Sequence, residues 1–401
     1  VKTFFGPSEV RVQCWIPEIT ASGSNVTYEP KGRFFGEVNA WVNLSFTKLA
    51  DGGYWAATIS FPTSKLDAER WFERAMPMHV SIFTPHLQLL WEGFVNQATV
   101  MLSSLTKTRG PLTSIGNRAY ARATLSEIIG NEIITTQDWT TVSADHTDSK
   151  LKYGVWEAVI NAGTVYSATE ARDLRDTWLN ENAFPQMTEN LTVDAANAPA
   201  ITLECLGYIH FFDSYVYNAN TSGTDNVSVA ITNSGGTGKL QQVISADPNG
   251  LFSIANSDMI DNGILEQQWE DQDMTAMTLI RSMVAKGDGS GNRCLFRVVK
   301  DRKIVYKVAP STARYAMRLA SAERQIYTLA RRREEFYEVG AGEWIIFSDF
   351  LVGDVARGTL QEDPRAMFIE QLTYNSPYGL QVDGSRWGTT EQLIAQFMGR
   401  V

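Results

Sequence analysis

The sequence predicts a mainly β fold with α insertions, an α+β chain whose β-barrels each carry a flanking helix. Three observations predict it. Apolar residues recur at every second position through the first third of the chain, which a helix cannot sustain. Gly- and Pro-containing turn signals separate these runs. Helical spacing of apolar residues is confined to short segments.

The elements follow in order. Val10, Val12, Cys14 and Ile16 share one face of a first strand. Val38, Ala40, Val42, Leu44 and Phe46 share a face of the next clear one. Asp51-Gly52-Gly53 turns the chain, and Trp55, Ala57, Ile59 and Phe61 line the return strand. Ala68, Trp71, Phe72 and Ala75 then fall at i, i+3, i+4 and i+7, which predicts a short helix with Asp67 as its N-cap. A hairpin over 80–94 has Pro85 in its turn. Strand, strand, turn, strand, helix, strand, strand packs most simply as a β-barrel plugged or flanked by one helix.

The texture changes at Gly110-Pro111. Residues 136–150 are polar and rich in Thr and Asp, and read as a loop. Ser167-Ala168-Thr169-Glu170 is a capping-box pattern opening a helix, with Ala171, Leu174, Trp178 and Leu179 inward. Strands return at 201–206, 227–231 and 243–245, the last two separated by the turn Ser234-Gly235-Gly236-Thr237-Gly238. A helix over 274–285 turns Met274, Met277, Ile280 and Val284 inward, behind an acidic approach that suits its dipole. A tight hairpin spans 294–308 around Lys300-Asp301-Arg302. Residues 311–338 fit a helix or edge strands, 342–347 a strand, and Thr389-Thr390-Glu391-Gln392 caps a last helix ending near Met398. These breaks suggest an N-terminal barrel 1–125, an α/β insertion 126–200, a second β-barrel region 201–310 and a C-terminal β/α region 311–401.

Composition narrows the function. A chain of 401 residues, 44% hydrophobic and 20% charged, is an ordinary folded protein of two or three domains. Its 11% aromatic content, with 11 Trp, suits β-sheets and subunit interfaces. The net charge of −10 argues against a nucleic-acid grip, and the one dense basic run, Arg331-Arg332-Arg333, is followed at once by Glu334 and Glu335. Cys14, Cys205 and Cys294 lie far apart in apolar runs and form no C-x-x-C pair, so they read as buried free thiols. No signal peptide opens the chain and no apolar run reaches about 18 residues, which predicts a soluble protein without a membrane anchor, made in a reducing cytoplasm.

No catalytic, cofactor or metal constellation emerges. Residues 233–240 fail the phosphate-loop pattern at Asn233 and Leu240, and their flanks read as strands of a hairpin. His79, His86, His146 and His210 lack metal-site spacing; the hairpin around Pro85 could bring His79 and His86 face to face, but they read as hairpin surface polarity. Glu266, Glu270, Asp271 and Asp273 are candidates for a glycosidase pair, but they cluster ahead of a helix, where solvation of the helix start accounts for them.

Several short motifs occur in a recognisable order: Trp71-Phe72-Glu73-Arg74, Trp91-Glu92-Gly93-Phe94-Val95-Asn96, Arg109-Gly110-Pro111-Leu112 and Asn117-Arg118. Tyr153-Gly154-Val155 and Leu203-Glu204-Cys205-Leu206-Gly207-Tyr208 follow, then Asn262-Gly263, Glu270-Asp271, Gly287-Asp288 and Tyr306. In that order, over most of residues 30–350, the chain resembles the tail hub, or baseplate hub, proteins at the tail tip of tailed bacteriophages. The resemblance implies tail-tube-like β-barrels and a structural, non-enzymatic role in the virion tail. It implies a homotrimer whose three chains close a ring of barrels around a lumen that DNA only passes through. The implied partners are the tail tube or distal tail protein, the tape measure, and fibre or spike proteins. An acidic lumen lining would let DNA slide without sticking. A distal tail protein, a host-surface carbohydrate binder using Trp139 and Trp156, and a cell-wall glycan hydrolase stay open as alternatives. Gly93 and Gly110 read as positions where a side chain would not fit.

Overall fold

The computed structural model describes residues 10–38, 41–84, 87–129, 132–191, 198–217, 228–267, 274–318, 340–348, 366–376 and 379–385. The first strands are β1 (Arg11–Ser22), β2 (Asn25–Val38), β3 (Asn43–Leu49) and β4 (Gly52–Pro62). Helix α1 (Lys65–Arg74) leads to β5 (His79–Phe83), β6 (Leu89–Leu102) and β7 (Leu105–Arg109). Next come β8 (Arg118–Ile129), β9 (Glu132–Thr140), β10 (Ala144–Asp145), α2 (Thr147–Tyr153), β11 (Glu157–Val165), α3 (Ala168–Asn182) and β12 (Met187–Leu191). Then follow β13 (Ala200–Leu206), β14 (Ser228–Thr232), α4 (Lys239–Ser245), β15 (Ser257–Met259), β16 (Asn262–Gln267) and α5 (Ala276–Ala285). The last strands are β17 (Cys294–Val299), β18 (Lys303–Val308), β19 (Ala313–Arg318), β20 (Trp344–Ser348), β21 (Ala366–Ser376) and β22 (Gly379–Ser385).

The fold is mainly β with helices inserted, and its main sheet is a curled half-barrel. The strand order is β19-β20-β21-β3-β4-β13-β6-β5-β1-β2, with β7 and β12 continuing from the far half of β6. Strands distant in sequence therefore lie side by side: β13 sits between β4 and β6, and β21 beside β3. A smaller sheet holds β8 with β9 and β10 on one edge and β11, parallel, on the other.

Period-two patterning set the sheet's faces. Val12 and Cys14 are buried along β1, as is Val10 just before it, and Ala57, Ile59 and Phe61 are buried along β4. Helix α1 covers this face with Ala68 and Phe72. The core centre is aromatic. Trp91, Phe94, Tyr208, Phe211 and Trp156 are all buried, with Phe94 edge-on to Phe211 at 4.7 Å. Burying each such ring contributes on the order of 2–3 kcal/mol. All three cysteines are buried and free.

Several local expectations are corrected. Residues 243–245 belong to helix α4, where Leu240, Val243 and Ile244 recur at i, i+3 and i+4 and are buried. The turn 233–238 thus joins a strand to a helix and is not a hairpin turn. The stretch 136–150 is not a loop: it holds the end of β9, then β10 and the start of α2. The N-cap of α1 is Ser64, whose hydroxyl accepts the Asp67 N–H. In α3 the inner positions are Ala171, Arg175 and Leu179, while Leu174 is exposed. The helix expected near 389–398 and most of 311–338 lie outside the described residues.

Candidate assembly surface

Several motif residues, Glu92, Asn117, Arg118, Asn262 and Tyr306 among them, sit in buried junctions that hold distant segments together. The first centres on Asn117 and Arg118 at the start of β8. Asn117 donates to the Gly154 carbonyl at 2.7 Å and to Ser149 Oγ at 3.2 Å, and accepts the Trp156 N–H at 2.8 Å. Arg118 reaches Asp145 at 2.8 Å, Glu157 at 3.1 Å and Asn25 Oδ1 at 3.2 Å, and also donates to the Ser24 carbonyl. Lys150 donates to Asp145 and to the Ser24 carbonyl. One nearly buried guanidinium therefore ties the smaller sheet to the β1–β2 turn. Burial alone would raise the Asp145 carboxyl, but hydrogen bonds from Arg118 and Lys150 outweigh it and hold it below its ordinary range.

The second junction forms where Asn262, Gly287 and Tyr306 meet. The Asn262 amide donates to the Gly287 carbonyl and to the Tyr306 hydroxyl. These three residues lie on β16, after α5 and on β18, so one side chain fixes three elements.

The third is the tip of the β17–β18 hairpin. Asp301 and Arg302 both adopt left-handed backbone, with φ of 57° and 59°, a conformation side chains resist. Glu92, buried in β6, accepts the Arg302 N–H at 3.2 Å. Lys31 lies 3.8 Å from Glu92 and 3.6 Å from Asp301. Burial raises the Glu92 carboxyl against the pull of Lys31 and the Arg302 N–H. Beside it, buried His79 bonds Tyr208 at 2.6 Å and Ser81 at 2.7 Å, and burial, then Lys31 and Arg302, hold its pKa well below the ordinary value. His79 is therefore a neutral packing residue. Its expected partner His86 lies outside the described residues.

Tight backbone contacts complete the frame. A Cβ on Gly93 would overlap the Leu206 carbonyl. Gly110 has φ of +121°, and a Cβ there would lie 2.7 Å from the Asn96 carbonyl oxygen.

Exposed apolar side chains occur along one sheet edge and near one hairpin tip, as well as elsewhere on the described surface. Every residue of β12 is exposed, including Met187 at 52% and Leu191 at 80%. The β8–β9 hairpin runs past the end of β11, whose last partner on β8 is Leu125, and carries exposed Ile129 and Ile134 toward its tip. Sheet edges and exposed apolar side chains of this kind are what subunit contacts use.

Other candidates do not form a site. Trp156 is buried, its indole N–H given to the Tyr153 carbonyl, and Trp139 is half-buried beneath the Arg172 guanidinium. Neither offers an open sugar platform. Glu266 pairs with Lys286, while Glu270, Asp271 and Asp273 lie outside the described residues. Among the described residues no group of three or more His, Cys, Asp or Glu is placed to hold a metal, and no helix is long and apolar enough to cross a membrane. A cavity of about 160 Å³ lined by Trp55, Met277, Ile280 and Arg281 is below the ~300–1,000 Å³ of typical ligand pockets.

Sequence reasoning missed Asn249, which is buried and accepts the Val155 N–H at 2.6 Å. Its neighbour Asp247 accepts three backbone N–H groups. No sequence signal beyond a D-P-N-G turn marked either residue.

No protein-family model matches the sequence, and no curated protein matches it. Among solved structures that align with most of this chain are two tail proteins. One is the 43 kDa tail protein of prophage MuSo2 from Shewanella oneidensis, with a TM-score of 0.40 and 9% identity, covering 94% of this chain and 97% of that one. The other is the tail protein from Neisseria meningitidis MC58, with a TM-score of 0.40 and 6% identity, covering 94% of this chain and 95% of that one.

Proposed function

We propose that the chain is a structural subunit of a bacteriophage tail tip, a hub that joins the tail tube to the baseplate or fibre apparatus. The observation that carries this reading is an open, curled sheet with an exposed edge at β12. A single described chain does not close that sheet, and closure by neighbouring copies would satisfy it. The ordered motifs support the same reading, because Glu92, Asn117, Arg118, Asn262 and Tyr306 among them hold distant segments of this frame together. Three copies around a bore, with DNA only in transit and no catalytic role, complete the proposal.

Mass measurement by analytical ultracentrifugation, followed by electron microscopy of the purified chain, tests it. Trimeric rings with an axial opening are expected. A monomer at every concentration, with no ring in the presence of tail-tube protein, overturns the reading.

A further inference from the structure

We propose that the turn from Asp247 to Leu251 is a built-in plug for the outer edge of β2, closing it to strand addition by a second copy of the chain. The inference concerns this edge alone and does not rest on the hub reading. Among the described residues β2 is the last strand at its end of the sheet and pairs with β1 alone. Unpaired N–H and C=O groups along such an edge recruit other strands.

Here the edge is occupied. The Val26 N–H donates to the Pro248 carbonyl at 3.0 Å and the Tyr28 N–H to the Asn249 carbonyl at 3.0 Å. The next outward position by alternation is Pro30, which has no N–H to offer. The Lys31 N–H is taken by Glu29 Oε1 at 3.2 Å. The outward donors at positions 26 and 28 are therefore taken, and position 30 offers none.

The plug is fastened from below. Asp247 accepts the Asn249 N–H at 2.9 Å through one oxygen, and the Leu251 and Phe252 N–H groups at 2.7 and 3.3 Å through the other. Asn249 is fully buried, and its side chain both accepts from and donates to the Val155 backbone, at 2.6 and 3.0 Å. Phe252 stacks on Phe212 with ring centroids 4.3 Å apart. The Leu251 carbonyl also accepts from Arg302 Nε at 3.3 Å, which ties the turn to the β17–β18 hairpin tip. Together these contacts aim the turn at β2.

Amide hydrogen exchange and light scattering on the full chain test the plug. In the wild type, the Val26 and Tyr28 amides are expected to be protected; rapid exchange there overturns the proposal without any variant. In Asp247→Asn and in Asn249→Ala, these two amides should exchange about ten-fold faster or more. The mass of each variant should also rise with concentration beyond that of the wild type. Adding Thr27→Lys, a charge on the freed edge, should return the mass to the wild-type value while the amides stay fast. Opened amides with an unchanged mass overturn the proposal, as do amides that stay protected in both variants.

Discussion

The Asn262 side-chain amide donates one hydrogen bond to the Tyr306 hydroxyl and one to the Gly287 carbonyl, each at 2.8 Å. Its oxygen accepts the Ile264 N–H at 3.1 Å. Replacing Asn262 with Ala leaves buried polar groups unpartnered and should destabilise the fold by about 2–3 kcal/mol. Tyr306→Phe removes only the hydroxyl and should cost about 1 kcal/mol. Urea unfolding midpoints of the two variants check the difference. Equal costs would mean that the amide does not bridge the elements.

Gly93 provides a steric test. Its hypothetical Cβ overlaps backbone of β13, so Gly93→Val should abolish folding, seen as loss of near-ultraviolet circular dichroism. Gly263 has nothing within 4 Å of its hypothetical Cβ and no left-handed backbone. Gly263→Ala should therefore be neutral or stabilising by up to about 1 kcal/mol.

Arg118 is the electrostatic test. Substituting Met leaves Asp145 and Glu157 without their shared cation, and removing one partner of a buried pair costs about 3–5 kcal/mol. The pH signature has a definite sign. Asp145 is held below its ordinary pKa in the folded state, so its contribution is present above the unfolded pKa near 4 and is lost as pH falls through the folded value. Arg118→Met should flatten this acid limb in a series of denaturant midpoints.

Asp247 should show the opposite sign. Burial raises its carboxyl to about 6, against the pull of the backbone N–H groups it accepts. The folded state then takes up a proton near pH 6, whereas the unfolded chain does so near pH 4. Stability from this group is full below the unfolded pKa and falls as pH rises through about 6. Asp247→Asn should remove that slope, worth on the order of 2–3 kcal/mol between pH 4 and 7.5. Parallel slopes for wild type and variant would place the titration elsewhere.

Much of the fold was legible because one face of most strands is buried and the other is not. The hairpin over 294–308 and the helix over 274–285 appear within about two residues of expectation. The misses have physical causes. β9 is Thr-rich and largely exposed, so no apolar face announced it, and its pairing with β8 defines it instead. The run 239–245 is too short to separate a strand from a helix by period, and burial of Leu240, Val243 and Ile244 on α4 decided it. Arg175 lies inside where Leu174 was expected to, because Arg175 reaches the Val142 carbonyl and an ion pair with Asp176, which lets a cation be buried. The junctions were visible only as an order of motifs. Nothing in the spacing of Asn117, Asn249 and Asn262 says which carbonyls and amides they will meet.

The placement of β21 beside β3 carries a consequence for biosynthesis. Tyr374 pairs with Phe46 and Thr373 with Thr47, 326 residues apart, so the earlier strand waits for one that leaves the ribosome much later. Until then β3 presents an uncovered margin, and the contacts that settle it are among the most distant in the chain, the kind that slow folding and invite misassociation. Truncated translation products ending before residue 366 should depend on chaperones for solubility far more than products that include β21 do.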